Sequence, residues 1–151
     1  MPDTTPGHPQ RAATRTYLLL SGAGALFFFM IVTVNLLYHV ETAGLSPLQL
    51  VLVGTTLETV IVLFEIPTGI VADLVSRRRS ILIGYALTGV GFMVEGGFPS
   101  FAAILLAQVL WGIGYTFTSG ATEAWITDEV GEDAVGPVLL RGNQAGLVGS
   151  I

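Results

Sequence analysis

The chain has 151 residues, of which 52% are hydrophobic and only 11% are charged, and its formal net charge is −5. A soluble domain ordinarily carries about a quarter charged residues, so this composition indicates a membrane protein. The acidic balance and the lack of an extended basic run argue against a nucleic-acid-binding surface. The absence of cysteine excludes disulfides and cysteine-ligated zinc sites.

Four long apolar runs follow a polar, proline-rich start, and each can cross a bilayer core of about 30 Å as a helix. Residues 1–15 are expected to form a disordered cytoplasmic tail. The runs predict helices over residues 17–40, 48–72, 80–97 and 101–126, and the start of a fifth helix from about residue 138. The sequence therefore predicts an all-α membrane protein, an antiparallel bundle of transmembrane helices over residues 16–151.

The arginines predict how this bundle is oriented. They precede helix 1, separate helices 2 and 3, and follow helix 4, at Arg11, Arg15, Arg77–Arg79 and Arg141. With four crossings all six lie on one side, whereas the opposite loops contain Glu41 and Glu95 and no arginine. The positive-inside rule then places the N-terminus in the cytoplasm. We expect a multi-pass protein of the inner (plasma) membrane.

The segment between helices 2 and 3 carries the densest charge pattern, Gly69-Ile-Val-Ala-Asp73-Leu-Val-Ser-Arg77-Arg78-Arg79. A carboxylate and a guanidinium four residues apart can bridge within a turn or reach a neighbouring helix end. On charge alone, the segment fits two roles equally well. It is either a conformational latch or a set of arginines that only fixes the orientation.

The pattern of this segment resembles the signature of the major facilitator superfamily, Gly-x-x-x-Asp-Arg/Lys-x-Gly-Arg/Lys-Arg/Lys, which also lies between helices 2 and 3. The matching positions are Gly69, Asp73, Arg77 and Arg78. Leu74 replaces the first basic residue of the signature, and Ser76 replaces its second glycine. The segments 64–69 and 120–128 are also similar to bacterial members of the drug-exporter type.

The resemblance implies a twelve-helix secondary transporter that moves a small molecule by alternating access, as an exporter. It implies a cytoplasmic latch containing Asp73 and Arg77, with Glu123 or Asp128 as a partner from helix 4. Because the fifth apolar run is short, we expect this chain to be the N-terminal part of such a transporter. The remainder of the transporter chain and the lipid bilayer would be its partners, and the chain alone would not transport.

Two acidic residues within helix 2 are candidates for a proton pathway. Glu58 and Glu65 lie about two helical turns apart, and a charge at the bilayer centre costs roughly 2.5–3.5 kcal/mol. We therefore expect Glu58 to face the bundle interior, where it could carry a proton. A neutral carboxylate that is hydrogen-bonded within the helix packing explains its position equally well.

Weaker candidates for the proton or substrate pathway are Asn35, Gln108 and Tyr115, although a polar stripe on a helix also suits simple packing. Gln108 stands where proton-coupled members of the resembled family often carry an arginine, so the resemblance implies transport more firmly than proton coupling. Tyr38 fits the interfacial aromatic belt. His39, at a helix end, has no neighbours that suggest a metal site, and we expect neither a metal nor a cofactor.

Three other classes of protein are alternatives to a transporter of this superfamily. A membrane enzyme is disfavoured, because Phe117 occupies the glycine position that an intramembrane serine-protease motif at Ser119-Gly120 would need. A small four-helix, proton-coupled exporter acting as a homodimer could use Glu58 as its proton site. A non-transporting membrane adaptor would not need buried glutamates. The segment from Gly69 to Arg79 favours the superfamily over all three.

Overall fold

The computed structural model describes residues 7–151, which are helical throughout apart from short connections. The elements are α1 (His8–Leu37), a π-helical turn (Tyr38–Thr42), α2 (Pro47–Leu74), α3 (Arg77–Gly97), α4 (Phe101–Thr118), α5 (Ala121–Val130) and α6 (Glu132–Gly149). Four stretches of the described chain are long and apolar enough to span a membrane: His8–Thr42, Pro47–Leu74, Arg77–Gly97 and Phe101–Val130. The prediction of an all-α protein with four membrane-spanning helices is confirmed.

The first helix begins earlier than the apolar pattern indicates. α1 starts at His8, so residues 8–15 of the predicted tail are helical, and residues 1–6 lie outside the described part of the chain. The backbone N–H of Gly7 donates to the Gln10 side chain at 3.0 Å. The alanines and arginines that follow are good helix formers. The polar residues before Tyr17 limit the apolar run, but the helix continues through them.

The predicted fourth helix is broken within its length. α4 ends at Thr118 and α5 begins at Ala121, because Gly120 takes a backbone φ of +69° that only glycine adopts without strain. A second glycine, Gly131 with φ +87°, separates α5 from α6. α6 then begins at Glu132, earlier than residue 138, and the acidic residues of its first turn favour the positive end of the helix dipole.

The helices form two compact units, each with its own packing. The first unit comprises the described part of residues 1–33 together with residues 123–151. Its core consists of Ala13, Tyr17, Ile126 and Val130. A Cβ atom on Gly142 would collide with the Tyr17 ring, so this glycine lets α6 lie directly against the aromatic side chain.

The second unit, residues 34–122, holds the end of α1 and the helices α2, α3 and α4. Glycines let α3 and α4 approach closely: a Cβ on Gly84 would lie 2.6 Å from the Gly114 carbonyl oxygen. α2 meets α4 where Val60 covers Gly112. At one end of the unit, Leu45, Val53 and Ile104 form a core that Tyr38 and Phe101 extend.

Much of the remaining helix surface is apolar. Phe27 is 62% exposed, Val62 71% and Leu82 63%, and they are joined by many other large apolar side chains. A water-soluble monomer rarely exposes an apolar surface of this extent, because contact with water would drive it to associate. Lipid tails and neighbouring transmembrane helices solvate such a surface without that penalty, which agrees with the four candidate spans.

Candidate functional site

The turn between α2 and α3 is two residues long, and its sequence explains its shape. α2 ends at Leu74, and Ser76 has an extended backbone with φ −179°. The Ser76 hydroxyl accepts a hydrogen bond from the Arg79 backbone N–H at 3.4 Å and so caps the start of α3. The serine that departs from the superfamily signature therefore has a structural task, since it satisfies a backbone donor that would otherwise lack a partner.

The charges of the signature meet across this turn. Arg77 Nη2 lies 3.6 Å from Asp73 Oδ1, with side-chain exposures of 32% for the arginine and 69% for the aspartate. An ion pair this exposed contributes about 0–1 kcal/mol. Gly69 has no atom within 4 Å of where its Cβ would be, and Arg78 is exposed. The structure thus brings together Asp73 and Arg77, while Gly69 and Arg78 flank them.

The start of α3 is also fixed to the end of α4. Ser80 is 1% exposed, and its hydroxyl donates to the Phe117 carbonyl oxygen at 2.7 Å. The turn is therefore anchored on one side by a hydrogen bond in the core and carries its ion pair on the outside. Glu123 and Asp128 are exposed residues of α5, in the first compact unit. Their role as latch partners stays a prediction.

A second polar cluster lies at the opposite end of the second unit and is buried. His39 is 6% exposed and Glu95 is 4% exposed. The imidazole Nε2 of His39 lies 2.5 Å from Glu95 Oε1, a short hydrogen bond between an acid and a base. The pair joins the π-helical turn after α1 to the last turns of α3.

Two further side chains complete this cluster. The Gln108 Nε2 group, on α4, donates to Glu95 Oε2 at 3.4 Å, and Gln108 is 2% exposed. The Tyr38 hydroxyl donates to the backbone carbonyl oxygen of Glu95 at 2.6 Å. Within the described residues every buried side-chain nitrogen and oxygen has a hydrogen-bond partner. Tyr38, His39, Glu95 and Gln108, called the buried polar cluster below, therefore form a satisfied network on three helical elements.

Local sequence patterns do not reveal this cluster. They place Glu95 in an external loop and indicate no partner for His39, whereas the structure buries both. The reason is long-range packing that no local pattern reports. A signal was nevertheless present: Gly84, Gly91 and Glu95 follow one another at helical spacing, so a face of α3 that packs through glycines necessarily carries Glu95 inward. Only Gln108 among the predicted pathway residues belongs to the buried polar cluster.

The other predicted pathway residues lie apart from it. Glu58 and Glu65 are exposed, whereas the buried positions of α2 are Val53, Val60, Thr68 and Ala72. Tyr115 is 50% exposed, and Asn35 is half-buried. The expectation that Glu58 faces the interior is therefore not met among the described helices, because the buried stripe of α2 runs through its β-branched and small residues. Participation of these residues in a pathway stays a prediction.

Comparison with known proteins identifies relatives for most of the chain. Residues 18–141 match the family model of the Major Facilitator Superfamily. An uncharacterized MFS-type transporter of Bacillus subtilis (strain 168), YxaM, is 29% identical over 97 residues, which cover 64% of this chain and 24% of that protein. An uncharacterized MFS-type transporter of Methanocaldococcus jannaschii, MJ1317, is 33% identical over 70 residues, or 46% of this chain and 18% of that protein. No solved structure gives a significant match.

Proposed function

Since the chain belongs to the major facilitator superfamily, we propose that it forms part of a secondary active transporter that moves a small molecule across the membrane by alternating access. Membership in a family of transporters also supports a non-enzymatic role. The two relatives named above carry transporter in their descriptions, and this chain spans about a quarter of one and less than a fifth of the other. Transport is thus proposed for the protein to which these helices belong.

The observation that carries the proposal is the ion pair between Asp73 and Arg77 at the turn between α2 and α3. It occupies the position of the superfamily signature and joins two membrane-spanning segments. An exposed pair contributes at most about 1 kcal/mol, which shifts a two-state equilibrium about fivefold. A contact of that size biases the choice between two conformations and does not lock either one, as a transport cycle requires.

Orientation and direction follow from charge and resemblance. All six arginines fall on one side of the four predicted crossings, which supports a cytoplasmic N-terminus in the plasma membrane and a cytoplasmic latch. Similarity to drug-exporter-type members over residues 64–69 and 120–128 favours export. Coupling to protons is the simplest use of carboxylates on α2, with Glu58 as the first candidate.

Reconstitution in liposomes tests the proposal. The protein produced from its gene is assayed with a panel of fluorescent lipophilic cations, with and without a proton gradient. We expect saturable, gradient-dependent movement of at least one compound. Asp73→Asn should lower the maximal rate about fivefold, because only the conformational bias is lost, and leave the half-saturating concentration within about twofold.

The matched control is Asp133→Asn, an exposed aspartate in the first turn of α6 that lies outside the proposed latch. It should transport like the wild type at the same protein level. Transport by Asp73→Asn at the wild-type rate would contradict the latch. Movement that ignores every imposed gradient would contradict secondary active transport.

A further inference from the structure

His39 and Glu95 form a buried acid–base pair that the proposed latch does not use. Their side chains are only 7% and 5% exposed, and the Nε2 and Oε1 atoms are 2.5 Å apart. Histidine is the side chain whose charge ordinarily changes between about pH 5 and pH 8. A carboxylate held this close to an imidazole can exchange a proton with it directly. The pair therefore has the chemistry of a site that binds a proton.

The surroundings of the pair contribute little charge of their own. α4 supplies the neutral amide of Gln108, and the π-helical turn supplies the Tyr38 phenol, whose hydroxyl is occupied by the Glu95 carbonyl oxygen. α2 contributes apolar side chains to the adjoining core, among them Leu50 and Val53. Glu41 is on the same turn but is exposed to solvent. The net charge of the buried polar cluster is therefore set by the protons on His39 and Glu95.

We propose that His39 and Glu95 together form a proton-binding site, and that the bound proton holds the outer end of α1 against α3 and α4. With neutral imidazole and ionised carboxylate the pair carries one net negative charge. One added proton gives either an imidazolium–carboxylate pair or an imidazole with a carboxylic acid, and both are neutral overall. A buried uncompensated charge is costly, whereas a neutral hydrogen-bonded pair is tolerated. The bound proton therefore stabilises the arrangement in which the π-helical turn packs against α3 and α4.

The backbone of the π-helical turn links this site to the next helix. The N–H of Leu45 donates to the carbonyl oxygen of His39 at 3.0 Å, and the N–H of Ala43 donates to that of Tyr38 at 3.0 Å. The Leu45 side chain is buried in the core at the same end. If loss of the proton releases the His39 side chain from Glu95, these two backbone hydrogen bonds open with it. Their amide protons then report on occupation of the site.

Hydrogen–deuterium exchange of residues 38–46, in protein embedded in lipid nanodiscs, measures this opening. In the wild type we expect protection at about pH 6 and a loss of protection by about pH 8.5, after correction for the intrinsic effect of pH on exchange. His39→Gln leaves the Glu95 carboxylate without an acid partner, so exchange should be about a hundredfold faster at the lower pH. Glu95→Gln should make protection independent of pH.

The double variant His39→Gln with Glu95→Gln removes both titrating groups and leaves neutral hydrogen-bonding amides. We expect it to exchange more slowly than His39→Gln alone, since no charge stays buried, and to show no pH dependence. Two matched controls are available in the chain. His8→Gln changes the other histidine, which is exposed, and Glu41→Gln changes the exposed carboxylate on the same turn.

Both controls should keep the wild-type pH dependence. Protection in the wild type that does not vary with pH would overturn the proposal, and so would a pH dependence that survives Glu95→Gln. If His39→Gln does not fold, the wild type, Glu95→Gln and Glu41→Gln still decide between these outcomes. The measurement needs no transported solute, so its result tests the proton-binding site separately from the proposed transport.

Discussion

The imidazole of His39 and the carboxylate of Glu95 are 2.5 Å apart although 56 residues separate them in the sequence. A second pair of opposite charges, Asp73 and Arg77, is only four residues apart and lies on the surface, with 3.6 Å between Arg77 Nη2 and Asp73 Oδ1. Burial distinguishes the two pairs, since the first is shielded from solvent and the second is screened by it. One end of the α2–α4 unit therefore has a tight, buried contact and the other end a weak, exposed one.

The orientation of these two ends can be tested by cysteine labelling, because the chain contains no cysteine of its own. Ser46→Cys and Gly97→Cys should react with a membrane-impermeant maleimide added outside intact cells. Arg78→Cys and Glu132→Cys should react only after permeabilisation, since the arginine-bearing side is expected in the cytoplasm. All four positions are exposed. External labelling of Arg78→Cys, or no labelling of Gly97→Cys before permeabilisation, would contradict the proposed topology.

Glu58 offers a test of proton coupling through α2. In a transporter containing this segment, Glu58→Gln should flatten the dependence of transport on pH, because the amide cannot take up the proton that the carboxylate carries. Glu132→Gln, an exposed glutamate on α6, serves as the control and should keep the wild-type profile. If the pH dependence of transport is unchanged in Glu58→Gln, Glu58 is a packing or surface residue. Any proton coupling would then depend on other groups.

Close packing of α3 on α4 predicts a stability difference between two glycines of the same helix. A Cβ on Gly84 would lie 2.6 Å from the Gly114 carbonyl oxygen, whereas nothing lies within 4 Å of the corresponding position on Gly89. Gly84→Ala should cost about 1–3 kcal/mol, because backbone atoms must move apart. Gly89→Ala should be neutral or slightly stabilising, since alanine favours a helix. Thermal unfolding in detergent, followed for both variants, measures the difference, and equal melting temperatures would argue against this packing.

The sequence predicts the helices better than it predicts their contacts. Apolar runs and short loops identify the four spans, and the charge spacing identifies the approach of Asp73 to Arg77, since both are local properties. The break after Thr118 is missed because a single glycine, Gly120, inside an apolar run can either continue a helix or end it. Whether it ends one depends on a backbone conformation that hydropathy does not report.

The buried polar cluster is missed for a different reason. His39 and Glu95 each lie near the end of an apolar run, where a polar residue usually faces water, so each residue taken alone suggests the surface. Their burial depends on which faces of α1, α3 and α4 meet, and this is decided by the close approach at Gly84, Gly91 and Gly114. Glycine spacing read together with titratable residues on the same face would have indicated Glu95.

The central claim, that these helices work by alternating access, is tested most directly by the effect of one end of the bundle on the other. Hydrogen–deuterium exchange is compared between the wild type and Asp73→Asn in nanodiscs, for residues 73–80 at the proposed latch and residues 38–46 at the buried polar cluster. Loss of the latch should raise exchange over residues 73–80. Because alternating access closes one side as the other opens, it should also lower exchange over residues 38–46. Exchange that rises at both ends, or changes only beside the substitution, would contradict the account.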